Sequence, residues 1–216
     1  MPSVSTLSSG GDVERREGPT AEERTERPRT RAERTAATRR RLVEAGRRVF
    51  VDLGYHGTSL EAVARAAGYT KGAVYSRFRD KAALFLAVLE EGIAARIAAL
   101  EAGPSPDGDL AERLVDGWER TVREDEGWFL AVLEFRVHAA RHADLNQRYG
   151  VLHERLVAHL ARLLTRLHPR PAAAGAVARS VLALGSGMAL EAAQGADPDP
   201  ESGRAAVRAL IERGVR

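Results

Sequence analysis

The sequence predicts an all-α protein, and three observations carry that reading. Ala, Leu, Arg and Glu, all good helix formers, dominate the 216 residues, while aromatics are only 5%. Apolar residues recur at three- and four-residue spacing, and runs of Val, Ile, Thr and Tyr alternating with period two are absent. The periodic stretches are opened by Ser, Thr or Asp and closed by Gly or Pro, the usual helix punctuation. The chain has no cysteine, which excludes disulfides and thiolate metal sites and fits a reducing compartment. No run of about 18 consecutive apolar residues is evident. The polar N-terminus lacks the apolar core of a secretory signal. The expected location is therefore the cytoplasm, without a membrane partner.

The elements follow in order. Residues 1–35 are rich in Ser, Thr, Pro, Gly, Glu and Arg and too poor in apolar side chains to offset ordering entropy, so a disordered extension is expected. Its basic end, Arg29 to Arg41, reads either as a solvated tail or as a basic arm along the DNA backbone or minor groove. A first helix is expected from Ala36 to Leu53, with Leu42, Ala45, Val49, Phe50 and Leu53 at helical spacing and Gly54 as its stop. Thr58-Ser-Leu-Glu61 has the capping-box pattern and opens a short helix, Ser59 to Ala67, closed by Gly68. Thr70 caps the next, Lys71 to about Phe78. Asp80 caps a long helix to about Glu101, whose stripe is Leu84, Phe85, Val88, Leu89, Ile93, Ile97 and Leu100. The Gly103 to Asp109 stretch is a loop. Further helices are expected over Leu110 to Asp125, Gly127 to His142, Asp144 to Leu167, Ala172 to Gln194 and Glu201 to Arg213.

Charge is concentrated. Residues 39–81 hold ten basic residues against four acidic ones, and residues 1–38 balance at seven of each sign. The remainder is mildly acidic, although the whole chain carries +3. The two lysines of the chain, Lys71 and Lys81, both lie in the basic segment. A compact positive region on an acidic body suits docking on a polyanion.

Residues 58–78 supply the chemistry. Two short helices that cross steeply need a small residue at the crossing, here Ala64, and a tight turn, here Gly68. They also need a shared apolar seam: Leu60, Val63 and Ala67 against Val74 and Phe78. The opposite face of the second helix presents Thr70, Lys71, Gly72, Tyr75 and Ser76. Gly72 allows close approach of the backbone to a duplex, Lys71 reaches a phosphate or guanine edge, and the Tyr75 hydroxyl donates to a phosphate. Thr58 and Lys81, at helix N-termini, are expected to clamp phosphates. These positions read as a helix-turn-helix bound to DNA.

The residues also resemble a family. Ala45-Gly-Arg-Arg-Val-Phe50, Gly54-Tyr-His-Gly-Thr-Ser59, Val63-Ala-Arg-Ala-Ala-Gly68 and, above all, Thr70-Lys-Gly-Ala-Val-Tyr-Ser-Arg-Phe-Arg-Asp-Lys-Ala-Ala-Leu-Phe85 are similar to TetR-type (tetracycline-repressor-like) regulators. The similarity covers about residues 38–90. It implies an Ω-shaped homodimer of about nine helices per chain. A three-helix head, residues 36–81, would bind DNA, with Thr70, Lys71, Gly72, Tyr75 and Ser76 as operator contacts and Thr58 and Lys81 on phosphates. Residues 82–216 would form a helical domain for ligand binding and dimerisation. Within it the fifth to seventh helices and the end of the fourth would enclose a cavity, and the last two would build the dimer's four-helix interface. The resemblance thus implies a repressor that binds a near-palindromic operator in double-stranded DNA and responds to a small-molecule effector of unknown identity. The long N-terminal extension departs from the family pattern.

Other constellations carry less. Trp118, Trp128, Phe129, His138, Tyr149 and Met188 are candidate ligand-cavity residues, each also explicable as ordinary core. Glu134, His138 and His142 share a helix face and are of metal-ligand type, but no second cluster accompanies them, so no metal or other cofactor is expected. Gly185-Ser-Gly-Met188 places glycines inside a helix, at a cost of about 1 kcal/mol each against alanine, which either a close partner helix or a kink explains. No phosphate loop, nucleophile elbow or complete metal motif is present, so the protein is not expected to be an enzyme. A helical activator or protein-interaction module is the alternative. Steeply salt-dependent affinity for duplex DNA separates a DNA-binding role from protein pairing.

Overall fold

The structure, a computed structural model of the chain, describes residues 30–101, 112, 115–116, 126–167, 171–194 and 200–213. These residues form eight helices and no strand: α1 (Arg31–Gly57), α2 (Leu60–Ala66), α3 (Lys71–Tyr75), α4 (Lys81–Glu101), α5 (Glu126–Ala140), α6 (Ala143–Leu167), α7 (Pro171–Ala193) and α8 (Pro200–Arg213). The helix expected at Leu110 to Asp125 lies outside the described residues, except that Glu112, Val115 and Asp116 are helical. Trp118 and residues 1–29 lie outside them as well.

α1 begins at Arg31 rather than Ala36, so residues 31–35 are helical and do not belong to a disordered extension. The cause is a capping box one turn upstream of the expected start. The Glu33 amide donates to Thr30 Oγ1 at 3.1 Å, and the Thr30 amide donates to Glu33 Oε2 at 2.6 Å. At the other end Gly54 marks a kink rather than a stop. It takes φ +69°, and one further turn follows to Gly57. The predicted α4 cap is as expected: Asp80 Oδ1 accepts from the Ala83 amide at 2.6 Å.

Buried apolar side chains form two clusters. The first joins Leu42, Phe50, Val63, Val74, Phe78, Phe85 and Val88 to Trp128, Ala131, Phe135 and Ala139 of α5. The second joins Leu156, Leu160 and Leu164 of α6 to Val177 and Ala178 of α7 and Val207 and Ile211 of α8. Ile93 packs against both. The core therefore does not divide at residue 81, where sequence motifs place a domain boundary. An aromatic stack bridges that point: the Phe85 ring lies 4.9 Å from Phe50, 5.1 Å from Trp128 and 4.5 Å from Phe135.

No uninterrupted apolar run appears in α7 either, since Arg179 and Glu191 fall within it, although one segment of it is long and apolar enough to cross a membrane by length and composition alone. Ala173–Ala193 reaches a mean hydropathy of 1.4 over 21 residues. Its apolarity comes largely from small residues, which periodicity by eye discounts. In the fold it packs against α6 and α8 and carries Arg179, whose guanidinium makes two hydrogen bonds to Glu154 at 2.6 and 2.7 Å.

Candidate nucleic-acid interface

α2 and α3 form the predicted pair of crossed helices. Ser59 caps α2 by accepting from the Ala62 amide at 3.1 Å, and Thr70 caps α3 by accepting from the Ala73 amide at 3.3 Å. The turn between them needs Gly68, whose φ is +70°. It closes when the Tyr69 amide donates to the Ala64 carbonyl at 2.9 Å. Leu60, Val63, Ala64, Val74 and Phe78 are buried along the seam, with Ala67 packed at its edge. With that face held inward, Thr70, Lys71, Gly72, Tyr75 and Ser76 are all exposed on the other. Tyr75, at 45% exposure, is a large ring with no core to fill. A Cβ on Gly72 would meet no atom closer than Thr70 Oγ1 at 4.0 Å, so nothing within the chain occupies the approach to its backbone.

α3 ends at Tyr75, shorter than the expected Lys71 to Phe78. Ser76 turns its hydroxyl back onto the Ala73 carbonyl at 2.8 Å and accepts from Arg77 Nη1 at 3.2 Å. Both contacts are exposed, so the Ser76 hydroxyl still faces solvent.

Two of the expected phosphate contacts take other roles. Thr58 does not cap α2, because Ser59 does. Its side chain is 3% exposed, and the hydroxyl donates inward to the Gly54 carbonyl at 2.7 Å and lies 3.3 Å from that of Val49. Thr58 thus ties off carbonyls left open by the Gly54 kink. Lys81 also turns inward: its Nζ donates to the Tyr55 and His56 carbonyls at 2.7 and 3.1 Å and sits 4.6 Å from the Tyr55 ring centroid. Burial pushes the Lys81 ammonium below its ordinary pKa, with Glu134 opposing that shift. A cation at a helix C-terminus satisfies the last carbonyls and opposes the helix dipole. Lys81 therefore anchors the end of α1.

The residue that sequence reasoning missed is Glu61. Expected to reach back to Thr58, it instead holds two reading residues at once. Glu61 Oε1 lies 2.5 Å from Lys71 Nζ and accepts from the Tyr75 hydroxyl at 3.1 Å. Lys71 Nζ also stands 5.5 Å from the Tyr75 ring centroid. The hydrogen bond from Lys71 holds the Glu61 carboxyl below its usual range, and the same bond holds Lys71 above its own. No local spacing rule links positions 61 and 71, and the capping-box pattern offered Glu61 a competing role. Arg39, on α1, adds a cation 5.4 Å from the Phe78 ring centroid and 3.5 Å from Glu91.

The candidate cavity residues do not gather in one place. Trp128 is core, stacked on Phe85 with the Arg47 guanidinium 4.9 Å from its ring centroid. His138 packs at the end of α1, 5.4 Å from Tyr55 and 5.7 Å from His56, ring to ring. Burial, then His142 and His56, lower the His138 pKa. Tyr149 lies between Phe135, His153 and the Arg136 guanidinium. Phe129 and Met188 are half-buried. A groove of about 280 Å³ between α4 and α6 is lined by none of them. The sequence row Glu134, His138, His142 is not a metal cluster either, and no such cluster occurs among the described residues. Glu134 instead accepts from the His56 amide at 3.0 Å.

Crossed helices with a buried seam and a polar, cationic outer face define a helix-turn-helix regulator. Comparisons with known proteins agree. Residues 42–88 match the bacterial regulatory proteins of the tetR family, and residues 108–216 match the C-terminal region of BetI-type transcriptional repressors. The chain belongs to the TetR family. It is 33% identical over 149 residues to the HTH-type transcriptional regulator SrpR of Pseudomonas putida, an alignment covering 63% of this chain and 62% of SrpR. It is also 33% identical over 145 residues to the uncharacterized HTH-type transcriptional regulator TtgW of the same species, covering 62% of this chain and 96% of TtgW. An alignment to a repressor of Mycobacterium tuberculosis spans only 34% of that protein. Among solved structures, Salmonella enterica GusR superposes with a TM-score of 0.68 at 21% identity, over 88% of this chain and 99% of GusR. The regulator FadR of Bacillus subtilis, solved with stearoyl-CoA, gives 0.66 at 15% identity over 82% and 99%. At those identities the likeness is one of fold. The sequence relatives are regulators, as the expectation of a non-enzymatic protein requires.

Proposed function

We propose that the protein is a cytoplasmic, ligand-responsive transcriptional repressor that binds a near-palindromic operator as a homodimer. The observation that carries this reading is the outward face of α3, where Lys71 and Tyr75 stand exposed beside the open backbone of Gly72. On engaging DNA, Lys71 and Tyr75 exchange the Glu61 carboxylate for a phosphate or base edge. Thr70 and Ser76 flank them, while Thr58 and Lys81 contribute by holding the end of α1 in place. The residue 36–81 segment acts as the reading head, and the remainder supports ligand binding and pairing.

Pairing is supported by α7. Its Ala173–Ala193 segment is apolar, yet only 28% of it is buried in the single chain. Ala176, Ser180, Ala183, Gly187 and Leu190 are exposed at alternating four- and three-residue spacing, a stripe on which a second α7 could pack closely. Two heads carried by such a dimer would reach major grooves about one helical turn apart. The BetI-type match and the repressors among the relatives favour repression over activation.

The test is equilibrium binding of the full chain to duplex DNA from beside its own gene, across a salt series. Affinity is expected to fall steeply with salt, because each neutralised phosphate releases counterions. Lys71→Ala combined with Tyr75→Phe should weaken binding by at least about tenfold while leaving the melting midpoint unchanged. A flat salt response, or unchanged affinity in the double variant, rejects the assignment.

A further inference from the structure

We infer that Glu134 of α5 is a positioning residue for DNA reading: its carboxylate fixes the last turn of α1 and, through it, the direction in which the α2–α3 pair leaves that helix. The inference rests on the DNA-reading function proposed above and names the contact through which α5 sets the reading angle.

Gly54 takes φ +69° and ψ 177°, a conformation outside the helix, while the residues on either side of it are helical. Such a break interrupts the i to i−4 ladder, so backbone groups beside it turn to other partners. Side chains from separate parts of the chain supply them. The Thr58 hydroxyl donates to the Gly54 carbonyl at 2.7 Å, and Lys81 Nζ donates to the Tyr55 and His56 carbonyls at 2.7 and 3.1 Å. Those contacts serve carbonyls. The acceptor for an amide comes from α5: the His56 N–H donates to Glu134 Oε2 at 3.0 Å, across 78 positions of sequence.

Glu134 fits the kink closely. A Cβ on Gly54 would stand 2.5 Å from Glu134 Oε1 and 2.9 Å from Oε2, so both oxygens lie against the bare face of that glycine. Any side chain at position 54 would push the carboxylate aside. Lys81 is near enough for Glu134 to oppose the downward pull of burial on its ammonium pKa. One carboxylate therefore holds an amide directly and favours the charged form of the lysine that holds two carbonyls. One helical turn further along α5, the His138 ring packs 5.4 Å from Tyr55 and 5.7 Å from His56. α5 thus grips the last turn of α1 at two levels.

Only Gly57 and Thr58 separate His56 from Ser59, the cap of α2. Thr58 is buried and tied back to Gly54, which leaves that link little slack. A tilt of the last turn of α1 is passed to α2, and from α2 to α3 through their shared seam. Specific docking needs the reading side chains held at a fixed orientation to the base edges, whereas attraction to phosphates does not. Glu134 acts on the first requirement without touching DNA.

The experiment compares the full chain as wild type, Glu134→Gln and Glu134→Leu. The two variants lose the same charge, but Gln keeps an oxygen for the His56 amide. Binding is measured to duplex DNA from beside the gene and to an unrelated duplex of equal length. Glu134→Leu is expected to lose at least about fivefold in affinity for the first and to keep its affinity for the second. Glu134→Gln should recover the loss to within about twofold. Equal loss on both duplexes, or equal loss in both variants, overturns the inference, since a merely structural residue or a bare charge would act so. If Glu134→Leu unfolds the chain, Glu134→Ala takes its place in the same comparison. A second readout needs no DNA. The chain has no cysteine, so spin labels on Ala66→Cys in α2 and Ala140→Cys in α5, both at exposed positions, report one distance when labelled chain is diluted with unlabelled. Its distribution should shift or broaden in Glu134→Leu and return in Glu134→Gln; an unchanged distribution in Glu134→Leu overturns the inference. Should the wild type show no preference between the duplexes, the proposed function fails, and the label distance alone decides whether Glu134 sets the angle.

Discussion

The head, residues 39–81, and the body from α5 to α8 satisfy their apolar residues in different ways. In the head almost every large side chain at helical spacing finds a partner within the chain. Leu42, Phe50, Leu60, Val63, Val74 and Phe78 are buried, and the large apolar or aromatic side chains left exposed are Val51 and Leu53 near the end of α1 and Tyr75 on α3. The body leaves apolar surface open: Leu190 is 45% exposed, and α7 is mostly unburied despite its composition. A sequence whose pattern closes on itself describes a self-contained fold. A pattern left open describes a surface that something else covers. The outer face of α3 is therefore polar and cationic, whereas the open face of α7 is apolar.

The largest effect should come from the residue that joins the two regions. Phe85 is fully buried and packs on rings from α1 and α5. Phe85→Ala is expected to cost about 3–5 kcal/mol of folding stability. Because the first core cluster runs through both regions, Trp128 fluorescence and helical ellipticity should be lost in one transition under denaturant. Two separated transitions would show that the head folds apart from α5 and would break the comparison drawn above.

This joining was the part least legible in advance. Periodicity located the helices from α4 onwards to within one or two residues, and the paired short helices were placed with their turn glycine. Helix faces are local properties, and sequence carries them well. The partner of a face is not local. Trp128, Tyr149 and His138 looked alike as aromatics at helical spacing, yet one fills the core beside Phe85, one lies between α5 and α6, and one caps the junction with α1. Thr58 and Lys81 were misassigned for a related reason. Their positions at helix starts suggested phosphates, while the carbonyls they satisfy were exposed by a kink at Gly54 that a stop signal alone did not reveal. Glu61 was masked by a plausible local role.

A second, smaller test probes the same joint. A Cβ at Gly127 would stand 2.8 Å from the Val51 carbonyl oxygen, a backbone atom that cannot swing aside. Gly127→Ala should therefore lower stability by about 1–3 kcal/mol, against the gain of up to about 1 kcal/mol that alanine normally brings inside a helix. Gly187→Ala meets nothing within 4 Å in the single chain. It should leave the monomer's fold intact and instead raise the concentration at which the dimer dissociates. Equal losses of stability at the two glycines would show that the body's open face is not where a partner packs.

The smallest effect concerns the polar requirement of the head. Glu61 occupies Lys71 and Tyr75 with a single carboxylate oxygen, in an exposed position where ion pairs contribute little to folding. Glu61→Gln should accordingly leave the melting midpoint nearly unchanged, yet free Lys71 for phosphate and remove an anion that faces the duplex. Affinity for DNA of any sequence should rise by a few fold, and its dependence on salt should steepen by about one ion per head, because Lys71 then displaces a counterion it had previously exchanged for Glu61. The gain should vanish in a Lys71→Ala background, since no cation remains to be freed. A gain that persists there would mean that Glu61 acts on the duplex by simple repulsion rather than by holding the reading residues. Weaker binding in Glu61→Gln would mean that the carboxylate positions Lys71 and Tyr75 for DNA and that the head's outer face is preorganised as firmly as its core.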